Sequence, residues 1–197
     1  MVNFVSHKKI TLLSRSPRRR RLLADMGFMF DVASPNADEL IPPGLTPIEA
    51  AIHLSQLKAD SAKSMLSDEN ILISADTVVF ANNKILGKPK NRQEALQMLH
   101  MLSGNSHTVV TGVTLRTLEK SVSFAETTEV FFRKLDTDDI EHYVDTWQPF
   151  DKAGSYGIQE WIGLIGVEKI VGCHYNVMGL PTSRLYEELK KFDVFPC

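Results

Sequence analysis

The order of apolar and polar positions along the chain predicts strands and helices in alternation. Continuous apolar runs at Lys9–Leu13 and Ile71–Ala75 are typical of buried strands, and we expect the second strand to end at Asp76. Two longer alternating segments, His107–Thr117 and Ser121–Arg133, predict further strands that pair in antiparallel fashion. The pattern therefore predicts an α/β fold with a mixed sheet flanked by helices.

Capping residues predict where the helices begin and end. Ser16 can cap a helix that has Pro17 at its first position and that Gly27 ends. Residues 46–49 form a capping box, which predicts a long helix reaching about Leu66. The other predicted elements are a helix between Asn91 and Gly104, a helix capped by Thr137 and ending near Thr146, a last helix from Leu180-Pro181 to about Lys191, and a hairpin turn at Asn82-Asn83.

Composition and charge exclude several classes of protein. The 43% hydrophobic and 23% charged residues argue against disorder. The length of 197 residues and the lack of a linker-like stretch predict one domain over residues 1–197, with two lobes around a central cleft. The 22 Lys and Arg residues against 24 Asp and Glu residues argue against a dedicated nucleic-acid binder. Two widely spaced cysteines, with no signal-like or membrane-length apolar run, predict a cytoplasmic protein without a membrane partner.

A serine- and arginine-rich segment, Ser14–Arg19, lies where the first predicted strand ends and the first helix begins. Backbone N–H groups and the helix dipole favour anions there, whereas cations in the first turn cost about 0.3–1 kcal/mol each. The arginines are best explained by a bound phosphate, whose oxygens a guanidinium group matches bidentately. The alternatives are a solvated basic face or a localisation tag, because Arg18–Arg21 is a run of four arginines.

Carboxylates follow two of the predicted elements. Asp76 comes directly after a buried strand, which is a usual position for a metal ligand or general base in α/β folds. An aspartate at this place can equally form a turn. The pair Asp38-Glu39 follows the first loop, and such a pair alone is more often a surface feature.

Two glycine-containing segments complete the candidate chemistry. In Gly87-Lys88-Pro89 the proline holds Lys88 extended, but the frame of a P-loop is absent. In Asp151–Gln159 two glycines flank an aromatic residue, and Gln159 carries the donors and acceptor that read a base edge. Spacing alone slightly favours a structural glycine turn there. Lys58 alone would be an ordinary solvated lysine, and the histidines and cysteines show no metal-ligand or nucleophile pattern.

Together these segments resemble the Maf family of nucleotide pyrophosphatases. The resemblance is carried by eight ordered segments: Ser14–Arg19, Asp38-Glu39, Lys58-Ala59, Ala75–Val79, Leu86–Pro89, Leu102–Val113, Asp151–Gln159 and Asn176–Pro181. Membership implies a mixed, elongated α/β fold with a cleft, of the kind shared with inosine triphosphate pyrophosphatases. It also implies hydrolysis of a nucleoside triphosphate to the monophosphate and pyrophosphate, helped by a divalent metal.

The resemblance also implies roles for particular residues. The residues that would bind the phosphate chain are Ser14, Arg18, Arg19, Lys58 and Lys88. Glu39 and Asp76 would hold Mg²⁺ or Mn²⁺, and Asp76 would accept a proton from the attacking water. Arg18, Thr77 and Gln159 look like the specificity set of the branch that acts on dTTP and UTP. The family resemblance further suggests a homodimer.

Two other functions stay open at this point. Within the same chemistry, the alternative substrate is 7-methyl-GTP or a purine triphosphate. From a different class, the alternative is a non-enzymatic regulator of septum formation, or a nucleic-acid binder that uses Arg18–Arg21 on phosphate backbones. Glu39 and Asp76 favour the enzyme, because a protein that binds phosphate backbones gains nothing from carboxylates.

Overall fold

The computed structural model describes residues 8–34, 36–37 and 40–196. The strands are β1 (Lys9–Leu13), β2 (Phe30–Ala33), β3 (Asn70–Ala81), β4 (Lys84–Leu86), β5 (Ser106–Arg116), β6 (Ser121–Phe132) and β7 (Val167–Val171). The helices are α1 (Pro17–Asp25), α2 (Pro47–Ser61), α3 (Arg92–Leu102), α4 (Thr137–Trp147), α5 (Trp161–Gly166), α6 (His174–Val177) and α7 (Thr182–Lys190). None of these helices is long and apolar enough to cross a membrane, within the ranges described.

A mixed seven-stranded sheet organises the described elements. Its order is β2-β1-β3-β5-β6-β7, with β4 paired to β3. β1 pairs in parallel with both β2 and β3, so that Leu13 lies opposite Ala33 on one side and Ser74 on the other. β4 is antiparallel to β3, and β7 is antiparallel to β6. The predicted α/β fold with a mixed sheet and flanking helices is confirmed.

β3 is the main departure from the sequence prediction. The strand does not end at Asp76 but continues to Ala81. Its first half pairs in parallel with β1, and its second half pairs in antiparallel fashion with β4. The prediction was wrong because a strand ends where its hydrogen-bonding partners end, and here partners continue past the polar pair Asp76-Thr77.

Local signals locate most of the other boundaries correctly. The Ser16 side chain caps α1, and Gly27 follows this helix with a φ of 83°. Asn82-Asn83, with φ of 48° and 59°, forms the predicted turn between β3 and β4. α2 ends at Ser61, earlier than expected, and a short 3₁₀ turn follows at Lys63–Met65.

Four short elements, β2, β7, α5 and α6, have no counterpart among the predicted ones. β2 and β7 lie at the two edges of the sheet and contain no fully buried residue. Neither strand therefore has the apolar run by which an interior strand is predicted. One cap was also assigned wrongly. Asp136, and not Thr137, occupies the N-cap position of α4, and Thr137 is the first helical residue.

The chain divides into two compact units. The first comprises Met1–Asp76, Thr111–Glu126 and Gly179–Cys197, and the second comprises Thr77–Val110 and Thr127–Met178. In the first unit, Leu13 of β1 and Leu72 of β3 pack against Ala62, the residue that follows α2. In the second unit, a larger core joins α3, α4 and α5 to the strands. The single domain with a central cleft stays a prediction.

Candidate active site

Two serines hold the loop in which β1 passes into α1. Ser14 is buried, and its Oγ accepts a hydrogen bond from the Ser16 N–H at 3.1 Å. The Ser16 Oγ accepts a bond from the Arg19 N–H at 3.4 Å, and this contact caps α1. The predicted junction of strand, cap and helix is therefore confirmed.

The consecutive arginines of α1 differ in their surroundings. The Arg19 Nε donates to the carbonyl oxygen of Gly179 at 2.7 Å, which ties the helix to the segment before α7. Arg20 donates to the carbonyl oxygen of Ser14 at 3.3 Å and so closes the loop on itself. Arg18 is half-buried on the same helix. α1 is therefore not the uniformly solvated basic face that was the simplest alternative.

Lys58 and Asp76 form an ion pair that sequence reasoning did not predict as a pair. The Lys58 Nζ donates to the Asp76 Oδ2, and the two side chains are only 15% and 12% exposed. The lysine comes from α2, and the aspartate comes from the middle of β3. Water screens such a pair less than it screens a surface pair, so each side chain holds the other in one orientation.

Parallel pairing brings the end of β1 to the level of Asp76. β1 ends at Leu13, which lies opposite Ser74 of β3. Ser14 follows directly after the end of β1, and Asp76 lies two residues beyond Ser74 on β3, so the two residues are at the same edge of the parallel pair. The carboxyl ends of parallel strands are where open α/β sheets bind ligands. The first unit thus gathers the serine loop, the basic start of α1, and the Lys58–Asp76 pair at one edge of its parallel strands.

The two glycine-containing segments of the second unit contact each other. The Gly154 N–H donates to the carbonyl oxygen of Gly87 at 3.1 Å, and Gly154 has a φ of 71°, which favours glycine. Lys88 is exposed, and the following Pro89 is buried. Lys88 and the Asp151–Gln159 segment therefore belong to one local arrangement, although the sequence shows them far apart.

Gln159 is exposed, and the residues around it form a partly buried polar network. The Tyr143 hydroxyl donates to Glu160 and accepts the Gly157 N–H at 3.2 Å. Lys152 is 7% exposed, and its ammonium lies 3.0 Å from Glu160. Burial, together with the hydrogen bond to Glu160, raises the pKa of Tyr143, so the phenol keeps its proton as a donor.

Gly157 leaves room for side chains of its own segment. A Cβ at this position would lie 2.8 Å from the Glu160 Cδ and 2.9 Å from the Gln159 Nε2. The sequence suggested that the glycines here let a ligand approach the backbone. At Gly157, the space is instead used by the neighbouring glutamine and glutamate.

A second buried polar pair supports the same segment. The Nε2 of His107 lies 2.7 Å from the Tyr156 hydroxyl, and the imidazole stacks on Phe132. Burial lowers the pKa of His107 to about 4 and raises that of Tyr156. Sequence reasoning missed His107, Tyr143 and Glu160, because no spacing signal connects partners so far apart along the chain.

The structure leaves part of the predicted metal site open. Glu39, the predicted second ligand, and its neighbour Asp38 lie outside the described residues. Within residues 8–34, 36–37 and 40–196, no three His, Cys, Asp or Glu side chains form a group that could hold a metal ion. Thr77 follows Asp76 directly on β3 and is half-buried.

Comparison with known proteins gives matches along nearly the whole chain. The dTTP/UTP pyrophosphatase of Bacteroides fragilis is 50% identical over 184 residues, which cover 93% of this chain and 95% of that protein. The dTTP/UTP pyrophosphatase of Parabacteroides distasonis is 46% identical over 193 residues, covering 98% and 100%. Among solved structures, the Ham1 protein of Staphylococcus aureus is 14% identical with a TM-score of 0.49, covering 95% of this chain and all of that one.

The family assignment rests on the sequence comparisons. The family model described as Maf-like protein matches residues 9–192. That range contains every segment that carried the resemblance, from the serine loop after β1 to the residues before α7. The chain therefore belongs to the Maf family.

Proposed function

We propose that this chain is a nucleoside triphosphate pyrophosphatase that hydrolyses dTTP and UTP to the nucleoside monophosphate and pyrophosphate. The observation that carries the proposal is the 50% and 46% identity to two dTTP/UTP pyrophosphatases over nearly their full lengths. The polar residues at the end of β1 and on β3 supply the chemistry that this reaction needs. The reaction takes place on free nucleotides, and we place the protein in the cytoplasm.

The cationic residues would bind the triphosphate chain. A nucleoside triphosphate carries about four negative charges, which arginine and lysine side chains offset best through charge-assisted hydrogen bonds. The proposed phosphate ligands are Ser14, Arg18, Arg19, Lys58 and Lys88. The ligands in the capped loop and at the start of α1 are held in place by hydrogen bonds. Ser14 and Ser16 bond each other within the loop, and Arg19 is bonded to Gly179.

Asp76 would act as the general base. Its carboxylate would accept a proton from a water molecule whose oxygen forms a bond to the α-phosphorus. The bond between that phosphorus and the bridging oxygen of the β-phosphate breaks, and pyrophosphate leaves with the bonding electrons. Lys58 orients the carboxylate through the Nζ–Oδ2 hydrogen bond. Its ammonium also offsets charge on the phosphates.

A divalent metal, Mg²⁺ or Mn²⁺, fits the donors of this site. Asp76 supplies a carboxylate oxygen, and Glu39 would supply a second. Mg²⁺ is usually bound through one or two carboxylates together with substrate phosphates, so a cage of three or more protein ligands is not required. When bound, such an ion offsets negative charge that develops on the phosphate oxygens.

Gln159 and Thr77 would select the base, with Arg18 as the third member of the set. Uracil and thymine present an N3–H donor between two carbonyl acceptors, and a glutamine amide carries the complementary acceptor and donors. Gln159 is exposed at the surface of its unit, while the network of Tyr143, Lys152 and Glu160 holds the neighbouring backbone. This arrangement suits a residue that contacts a ligand.

Release of pyrophosphate tests the function. With Mg²⁺ present, dTTP and UTP should be hydrolysed faster than ATP, GTP, CTP and 7-methyl-GTP. A higher kcat/KM for 7-methyl-GTP or a purine triphosphate would replace the proposed substrate while keeping the reaction. No pyrophosphate from any triphosphate, together with salt-sensitive binding to nucleic acid, would favour the non-enzymatic alternative.

Removing the Asp76 carboxylate tests the mechanism. Asp76→Asn should lower kcat by about 10³-fold, since general bases contribute about 10²–10⁴-fold. Asp145→Asn is the matched control, because Asp145 is also an ion-paired carboxylate, bound to Arg92 at 2.6 Å, and is not a candidate site residue. Near-normal turnover of Asp76→Asn would overturn the assignment of the base.

A further inference from the structure

α2, the helix that carries Lys58, touches β5 at a point where no side chain fits. A Cβ added to Gly112 would lie 2.2 Å from the carbonyl oxygen of Ala51 and 2.6 Å from the backbone nitrogen of Ile52. Backbone atoms cannot give way as a flexible side chain does. The absence of a side chain at Gly112 is therefore what lets α2 lie this close to the sheet.

Two further contacts join the same helix to the same strand. The Oγ of Ser55 lies 2.8 Å from the Oγ1 of Thr114, and both residues are fully buried. Five residues further along α2, Asp60 pairs with Arg116. We call these three contacts, Ala51 with Gly112, Ser55 with Thr114 and Asp60 with Arg116, the α2–β5 seam.

The spacing of the seam fixes the register between helix and strand. Gly112, Thr114 and Arg116 share one face of β5, because side chains alternate along a strand. From the first contact to the last, the strand advances about 13 Å, at about 3.3 Å per residue. The helix advances about 13.5 Å over the same contacts, at 1.5 Å per residue. α2 therefore runs along β5 in the same direction, and a slip by one residue would break all three contacts.

Lys58 lies on α2 between the second and third contacts of the seam. On β3, Ser74 lies two residues before Asp76 and so on the same face. Its hydroxyl donates to the carbonyl oxygen of Ser55 at 2.6 Å. Ser55 thus contacts β5 through its hydroxyl and β3 through its carbonyl, three residues before the lysine that reaches Asp76.

We propose that Gly112, Ser55 and Thr114 are positioning residues, which set where the Lys58 ammonium meets the Asp76 carboxylate. None of the three is among the residues assigned to the substrate or to the metal. They act through the place of α2 on the sheet. The proposal rests on the proposed function only in that the Lys58–Asp76 pair is the part of the chain that would act on the triphosphate.

The structure gives the size of the expected effect. At Gly112→Ala, α2 must move by about 1 Å to relieve the contact with Ala51, and a misplacement of that size costs about 10²-fold in rate. Thr114→Val keeps the volume and removes only the hydroxyl, so we expect a fall in kcat of about tenfold. Thr114→Ser restores the hydroxyl and should return kcat to within about twofold of the original.

The test measures kcat and KM for UTP in these variants. Thr117→Val is the matched control, because Thr117 is a buried threonine that directly follows the same strand. Its hydroxyl accepts the Lys120 N–H in the following turn at 3.1 Å. We expect Thr114→Val to lower kcat at little cost in KM, and Thr117→Val to change neither. An equal loss in both variants, or a Thr114→Ser variant as slow as Thr114→Val, would overturn the proposal.

A double variant separates positioning from general loss of structure. In a Lys58→Met background, the pair is already absent, so adding Thr114→Val should change kcat by less than about twofold. A further tenfold loss in that background would show that Thr114 acts on activity by another route, and would overturn the proposal.

A measurement without substrate or metal keeps the proposal distinct from the proposed function. Nuclear magnetic resonance of protein labelled with ¹⁵N at the lysine Nζ should give a slowly exchanging Lys58 signal, which Lys58→Met identifies by its loss. We expect Thr114→Val to weaken this signal and Thr114→Ser to preserve it. An unchanged signal in Thr114→Val would overturn the positioning role, whereas an inactive wild-type chain with the expected signals would overturn only the proposed function.

Discussion

The buried imidazole of His107 makes the stability of the fold depend on acid. Its Nε2 is bonded to the Tyr156 hydroxyl at 2.7 Å, its ring stacks on Phe132, and burial lowers its pKa from the ordinary 6.5 to about 4. Between these two values, the unfolded chain binds a proton that the folded chain does not bind. The free energy of unfolding therefore falls as the pH falls through this window, and the His107 contribution is fully present only above about pH 6.5.

The size of the effect follows from the shift. The change in the His107 pKa from 6.5 to about 4 lowers the free energy of unfolding by about 3 kcal/mol once the pH is below both values. At pH 5 the loss is about 2 kcal/mol. For a chain whose total stability is about 5–15 kcal/mol, this is a substantial fraction. Tyr156 belongs to the segment that ends in Gln159, so we expect acid to loosen this segment, with its proposed base-binding residue Gln159, first.

Urea unfolding at several pH values measures the effect. His107→Gln removes the titration but keeps an amide that can bond the Tyr156 hydroxyl. Between pH 7 and pH 5, the original chain should lose about 2 kcal/mol more than this variant. His100→Gln, which removes an exposed imidazole on α3, is the control and should leave the difference unchanged. Parallel curves for the original chain and His107→Gln would refute the reasoning.

Two other substitutions test the proposed roles of Arg19 and Tyr143. Arg19→Lys keeps the charge but loses the Nε–H that donates to Gly179, so KM for UTP should rise about tenfold with little change in kcat in steady-state assays; a lower kcat at constant KM would contradict this role. Tyr143→Phe removes the hydroxyl that joins Glu160 to the Gly157 N–H, which should lower the free energy of unfolding by about 1–3 kcal/mol and narrow the preference for UTP over CTP. An unchanged preference for UTP over CTP, measured as the ratio of kcat/KM values, would show that the hydrogen bonds of Tyr143 do not contribute to base selection.

The features that sequence predicted well are those with a local cause. Ser16 caps α1 because its own side chain reaches the backbone N–H three residues later, and Asn82-Asn83 turns because both residues tolerate positive φ. The family resemblance also follows from short segments that can be read one at a time. Such signals need no knowledge of which parts of the chain meet.

The features that sequence missed depend on contacts between distant segments. Apart from the family resemblance, Lys58 looks like an ordinary solvated lysine, because its partner Asp76 is on another element. Asp76 was expected to end a strand, because the pairing that continues to Ala81 involves β4, which follows later in the chain. Neither Tyr143 nor Glu160 belongs to a recognisable motif. They meet only because α4, which carries Tyr143, packs against the end of the Asp151–Gln159 segment.

The double pairing of β3 has a consequence for the order of folding. Its second half meets β4 through a turn of two residues, Asn82-Asn83, and such a hairpin forms within about 1–10 μs. Its first half needs β1, from which it is separated by α1, β2 and α2, so a long loop must close before that parallel ladder gains anything. The strand that carries Asp76 is therefore expected to grow from its carboxyl end, with the hairpin as an early template and the proposed catalytic residue placed late.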